Sequence, residues 1–250
     1  MILFRVIQLS LNGAANKMKL LNTNANNTKI KKTQTLGDAI RLASLSMMPH
    51  IFICAGSKAA GCFEDCLKSS GRGRFNNVAA ARQKKTDYWL QNREGFLLQL
   101  RAELSNFDKL CTRQNVTGWV RLNTISDIDW ENYGIPQAFP NLNFYDYTKR
   151  VNRFQNLPDN YRLILSYSGR RQYAKTVAAR PAGVSMAVVF KGDNLPDIWN
   201  GERVIDGDKS DLINLDAGCI VGLRAKGKAK TNNNDFVVDP NLITVVSVAA

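Results

Sequence analysis

The sequence predicts an α/β fold for residues 36–250: one domain, built as a partial six-unit β/α barrel or as an open parallel sheet with irregular crossovers. Three observations predict it. Short apolar runs of strand length recur at 51–54, 118–122, 142–147, 163–166, 186–190 and 219–223. From the second run onward the starts lie roughly 20 to 30 residues apart, enough chain for a crossover between parallel strands and too much for tight hairpins. A long helical pattern separates the first run from the second, and polar residues close nearly every run.

The elements follow in order. Residues 12–35 are rich in Asn, Lys and Thr with few large apolar side chains. Such a stretch buries too little surface to offset its ordering entropy, so residues 1–35 are expected to form a mobile extension. Met18 lies inside it, which makes 1–17 an expected optional segment. Apolar or small residues at 36, 39, 40, 42, 43 and 45 predict a short amphipathic helix that Pro49 stops. Ile51, Phe52, Ile53 and Cys54 predict the first strand, followed by a loop carrying Gly56 and Gly61. The spacing of Trp89, Phe96, Leu97, Leu100 and Leu104 predicts one long helix over 76–106. Beyond it, Pro196, Gly192, Gly201 and Gly207 make the connection 191–218 largely irregular.

In parallel α/β folds the working face lies at the carboxyl ends of the strands. Asn123, Ser126 and Asp127 follow the second run, Asp146, Thr148 and Lys149 the third, Ser166 and Ser168 the fourth, Lys191 the fifth, Arg224 and Lys226 the sixth. Asn123, Asp127, Asp146 and Lys149 are therefore the expected substrate-binding residues.

Three of the five cysteines, Cys54, Cys62 and Cys66, form a C-x7-C-x3-C cluster within thirteen residues. With a helix over 61–68, Cys62 and Cys66 stand one turn apart and the Gly56 loop folds Cys54 toward them. Three thiolates suit an iron–sulfur cluster with one open iron, or a zinc ion completed by another residue or water. His50, the only histidine, is the nearest candidate fourth ligand. Cys111 and Cys219 read as small buried hydrophobes. A metal-free cluster of buried thiols is the remaining alternative.

Hydrophobic residues at 44% and charged ones at 22% exclude a disordered, collagen-like or coiled-coil chain. An odd cysteine count speaks for a reducing compartment, the cytoplasm, and no apolar run is long enough to span a bilayer. The net charge of +13 favours nucleic acid or a phosphate-bearing small molecule as partner. Residues 1–120 carry eighteen basic and seven acidic residues, net +11, so the field belongs to the cysteine-bearing part. Arg72 and Arg74 precede the long helix and are the expected anion-binding pair. Asp127, Asp129 and Glu131 are expected to cap the helix after them; Asp206, Asp208 and Asp211 pose the same choice between capping and a divalent cation. No catalytic residue is assigned by spacing alone.

Several strings carry a resemblance. Cys54-Ala-Gly-Ser-Lys-Ala-Ala-Gly-Cys62-Phe-Glu-Asp-Cys66-Leu, Ser70-Gly-Arg-Gly, Arg121-Leu-Asn-Thr-Ile-Ser-Asp-Ile-Asp-Trp-Glu131, Phe144-Tyr-Asp-Tyr-Thr-Lys149 and Val204-Ile-Asp-Gly-Asp208 resemble a bacteriophage family, the gene product eighty-eight-like proteins, over roughly residues 36–236. The resemblance implies a phage gene product at work in a bacterial host cytoplasm and brings no activity with it. More distantly, the order of strand, cysteine loop, helix and five further strands is similar to radical S-adenosylmethionine enzymes, although the spacing departs from their usual C-x3-C-x2-C and no glycine-rich methionine-binding strand follows. That similarity implies a [4Fe–4S] cluster on Cys54, Cys62 and Cys66, S-adenosylmethionine beside it, and a nucleotide or nucleic-acid substrate at the strand ends. The alternative is a zinc-stabilised or metal-free nucleic-acid-binding or host-interaction protein without catalysis.

Overall fold

The computed structural model describes residues 18–23, 39–210, 212, 218–231 and 233–241. In chain order the strands are β1 (Leu21–Asn22), β2 (Ile40–Leu45), β3 (Thr117–Arg121), β4 (Leu142–Thr148), β5 (Tyr161–Ser166), β6 (Met186–Phe190), β7 (Ile198–Trp199), β8 (Glu202–Asp206), β9 (Ile220–Arg224) and β10 (Val237–Val238). They form one mixed sheet in the order β1-β2-β3-β4-β5-β6-β9-β8-β7, with β10 added to β6. Every pairing from β2 through β9 to β8 is parallel, while β1 on β2 and β7 on β8 are antiparallel. The sheet order starts at β1 and stops at β7, so the sheet is open and the barrel alternative falls away.

Six of these strands, β2 to β6 and β9, follow one another in space as in sequence, the arrangement that the wide spacing of the runs predicts. The first is displaced. Residues 40–45, expected as a helix, are β2, and residues 51–54, expected as the first strand, are turns. The reason is burial on both faces. Leu42 packs in one cluster with Tyr145, Ile164 and Val221, whereas Ala43 and Leu45 pack in another with Val120, Phe144 and Trp130. A strand covered on both sides shows no alternation, so its apolar run imitates a buried helix. Residues 51–54 lack that cover, for Ile51 and Phe52 are exposed, Phe52 at 76%, while Ile53 and Cys54 turn inward, the Ile53 carbonyl accepting from the Asp127 amide at 2.7 Å.

The expected long helix is two. Helix α1 (Ser57–Ala60) belongs to the cysteine loop; α2 (Asn76–Gln91) and α3 (Arg93–Gln114) meet at Asn92, whose backbone leaves the helical region at φ −145°, ψ 74°. Its side chain accepts from the Gly95 amide at 2.9 Å, restarting the helix as an N-cap. The break lets both helices reach the sheet. Trp89, from α2, packs edge-on against Phe96 of α3 and against Trp130, and Leu100, Leu104, Phe107 and Cys111 carry α3 across the strands. A further short helix, α4 (Ala174–Ala178), lies between β5 and β6. The connection between β6 and β9 holds the β7–β8 hairpin and is otherwise irregular among its described residues.

Most of the expected 1–35 extension lies outside the described residues. Its described part, 18–23, carries β1, with Leu20 and Leu21 in the main core and both their amides donating to the Glu103 carboxylate on α3. No described helix is long and apolar enough to cross a membrane.

Candidate functional site

Beyond the carboxyl ends of β3, β4, β5 and β9, a cavity of about 210 Å³ opens. One wall is the loop that follows β2, which supplies Cys54, Ser57, Cys62, Asp65, Cys66 and Leu67. The strands supply Arg121, Asn123, Asp127, Tyr147, Lys149 and Ser166, with Val189 and Leu223 at the apolar end; Phe236, just before β10, covers it. Of the expected site residues, the three cysteines, Asn123, Asp127 and Lys149 line this one cavity. Asp146 lies beneath it, and Arg72 and Arg74 stand outside on the exposed turn Gly71–Arg74 before α2.

The cysteines reach the cavity by turns. The helix expected over 61–68 is not there: α1 ends at Ala60, Gly61 turns left-handed at φ 76°, and a 3-10 turn occupies Leu67–Ser69. Cys54 Sγ lies 3.6 Å from the Ile125 carbonyl and Cys62 Sγ 3.7 Å from that of Ser57. Burial pushes the Cys54 thiol up to about 12, and negative charge on Cys66, Cys62 or Asp127 pushes the same way. Burial raises Cys62 and Cys66 too; Lys149 opposes the shift at Cys62. All five cysteines are free. As placed, no group of three His, Cys, Asp or Glu among the described residues could hold a metal ion. His50 does not line the cavity: its Nδ1 accepts from the Phe52 amide at 3.3 Å and its ring leans on Phe52.

Lys149 is 8% exposed, and its Nζ donates to the carbonyls of Tyr167 at 2.8 Å and Ser166 at 3.2 Å. The ammonium also sits 4.7 Å from the centre of the Phe236 ring. Burial draws its pKa down to about 8, while Cys62 and Asp127 hold it from falling further. It therefore remains a cation at neutral pH and exchanges a proton just above it. Gly56, at φ 83°, crosses Lys149 so closely that a Cβ there would meet the lysine Cβ at 3.3 Å, which fixes the cysteine loop over the strand ends.

Beneath the cavity runs a buried polar network. Asp127 accepts from the Lys149 amide at 2.9 Å, from Thr148 Oγ1 at 3.2 Å and from Arg153 at 2.8 Å. Arg153, 4% exposed, also pairs with Glu131 at 2.7 Å and donates to the Tyr161 hydroxyl at 3.0 Å. Asp129 pairs with Arg150. These three carboxylates were expected to cap a helix. They face arginines instead, because the chain after Trp130 makes only a single 3-10 turn whose N-cap, Asp129, forms no side-chain cap. Asp206 and Asp208 likewise pair with Arg224, and Asp208 with Lys226; Asp211 lies outside the described residues.

Asp146, 1% exposed, accepts from the Asn123 amide at 2.7 Å, from Asn123 Nδ2 at 3.1 Å and from the Tyr161 hydroxyl at 2.8 Å. Burial nevertheless pushes its carboxyl up to about 7. Sequence reasoning missed Arg153, Tyr161, Tyr147, Arg121 and Phe236. Only Arg121 and Tyr147, at the ends of apolar runs, carried the strand-end signal that found the others.

A family model described as Gene product 88 matches residues 18–240 of the chain. No curated protein and no solved structure matches it.

Proposed function

From the premise that the chain belongs to the Gene product 88 family of phage proteins, we propose that the cavity at the strand ends is the active site of an enzyme in which Cys54, Cys62 and Cys66 hold an iron–sulfur cluster beside a phosphate-bearing substrate. The observation that carries this reading is the gathering of three thiols from one loop and the Lys149 cation on a single cavity at the carboxyl edge of a parallel sheet.

Three thiols are the donor chemistry such a group takes, but as placed they do not form a metal-holding set, so loading requires the loop to draw them together. Desolvation disfavours the thiolate at each of the three positions, and a bound metal reverses that logic by deprotonating its ligands outright. Drawing the thiols together falls to residues 61–66, which neither helix nor strand restrains. When bound, a cluster on three thiolates keeps one iron open and supplies one-electron chemistry to a ligand there, the role for which S-adenosylmethionine is the expected co-substrate.

The chain's own residues would do the rest. Lys149 gives a fixed positive charge to the floor, and Arg121, stacked 4.6 Å from the Tyr147 ring centre, adds a second. Asp127, at the cavity wall, is held at one orientation by Arg153 and the Lys149 amide and anchors the Lys149 segment against the floor. Asn123 is fixed from below by Asp146. Phe236 and Leu223 shed water from the opposite side.

Anaerobic reconstitution with iron and sulfide tests the reading. The wild-type chain is expected to take up iron and turn brown, and the triple variant Cys54→Ser/Cys62→Ser/Cys66→Ser to stay colourless. Equal metal content in the two proteins would overturn it, and elemental analysis of anaerobically purified protein reads iron against zinc.

A further inference from the structure

Outside the cavity, two chain segments far apart in sequence meet at its rim. The 3-10 turn Gly227–Lys230 packs on the 3-10 turn Leu67–Ser69, with the Lys228 amide donating to Ser69 Oγ at 3.2 Å. The crossing is tight. Gly227 sits at φ 58°, and a Cβ there would meet Ser69 Oγ at 2.5 Å. Leu67 and Ala229, one from each turn, line the cavity itself, so the crossing forms its lip.

The two segments that cross here are basic. Residues 67–74 hold Lys68, Arg72 and Arg74, and residues 224–234 hold Arg224, Lys226, Lys228 and Lys230; neither segment contains an Asp or Glu. Asp206 and Asp208 answer Arg224 and Lys226 from β8 and the turn after it. Arg74, Lys228 and Lys230 are exposed and form no ion pair with a described residue. Beside Arg74 stands Phe75, 59% exposed at the entry to α2.

We infer that this lip is a track for single-stranded nucleic acid, holding phosphates on Arg74, Lys228 and Lys230 and stacking a base on Phe75 while one nucleotide enters the thiol-lined cavity. The inference rests on the reading of that cavity as a substrate site and names its substrate class. Unpaired cations interleaved with an exposed aromatic ring are the means by which proteins hold single strands without reading their sequence. An acidic protein surface would meet the cations but has no use for the ring or for a lip that opens into a cavity. A strand uses all three, since a nucleotide must leave its stack before chemistry can reach the base.

Fluorescence anisotropy with a labelled single-stranded oligonucleotide of about fifteen residues tests it. Three phosphate contacts on a single strand predict a slope of log affinity on log salt near ~−2, or about twentyfold weaker binding for a fourfold rise in salt. Lys228→Glu/Lys230→Glu is expected to weaken binding at least about tenfold and to flatten the slope by about 1.4. The reversal Lys109→Glu/Arg113→Glu, on exposed positions near the end of α3 where the chain enters the opposite edge of the sheet, should leave binding nearly unchanged. Absent binding at low salt, equal weakening by both reversals, or preference for a duplex of the same sequence would each overturn the track. DNA and RNA oligomers of one sequence show which sugar it takes. Iron uptake and strand binding are read separately on the wild-type chain: failure to load iron with the strand still bound leaves the track standing, and failure to bind the strand with iron loaded leaves the cluster standing.

Discussion

Arg153 organises the floor of the site. One guanidinium, almost sealed from water, serves Asp127 at the cavity, Glu131 and the Tyr161 hydroxyl, and its positive charge is held above the ordinary arginine range by those partners against the cost of burial. Replacing it with Met leaves Glu131 without its ion pair and Asp127 with only the more distant Arg150 at 3.7 Å, which costs on the order of 3–5 kcal/mol. Urea unfolding of Arg153→Met should read that loss, and Arg153→Lys should recover only part of it, since an ammonium lacks the planar fork that spans both acids. Asp146 offers a test in pH. Its carboxyl holds its proton up to about 7 in the fold, against an ordinary value of 3.8. Between those values the folded chain binds a proton that the unfolded chain has released. The contribution to stability is therefore complete below about pH 4 and is lost as pH rises through 7, by a few kcal/mol in all. Asp146→Asn should remove that descent, seen as a flatter dependence of unfolding free energy on pH than in the wild type.

At the scale of elements, the fold depends on how closely α3 lies on β3 and β4. Gly118 of β3 makes room for it: a Cβ there would meet Leu142 Cδ2 at 2.5 Å and Cys111 Sγ at 3.0 Å. Gly118→Ala should cost about 1–3 kcal/mol through overpacking, read by denaturant midpoint, with the slope unchanged. Cys111→Ala in the same chain should recover part of the loss by vacating the space the new methyl needs. The residue types around Asn92 marked the helix break in advance, since an Asn followed by Glu94 and Gly95 is a helix start. The apolar stripe of Trp89, Phe96, Leu100 and Leu104 runs through the break and conceals it, because both helices turn their apolar faces to the same sheet.

For the whole molecule, metal uptake and stability should move together. A ligand that binds only the folded chain raises its melting temperature, so reconstitution should raise it in the wild type and leave the triple cysteine variant where it was. Calorimetry before and after reconstitution measures the difference. The family match over 18–240 includes the residues that set β1 against β2 and anchor to Glu103. The sequence alone was enough for a parallel α/β sheet, for five of its six strands in chain order, and for placing Cys54, Cys62, Cys66, Asn123, Asp127 and Lys149 at one edge, where they line a single cavity. These are local matters: strand length, spacing between runs, and the polar residue that ends a run are all written within a few neighbours. Tertiary structure alone decided that residues 40–45 are the first strand, that the sheet stays open, that Asp127 and Glu131 answer Arg153, and that Gly227–Lys230 crosses Leu67–Ser69. Each of these depends on partners tens of residues or more away, whose packing and charge decide between local alternatives that a single stretch of chain leaves nearly equal in energy.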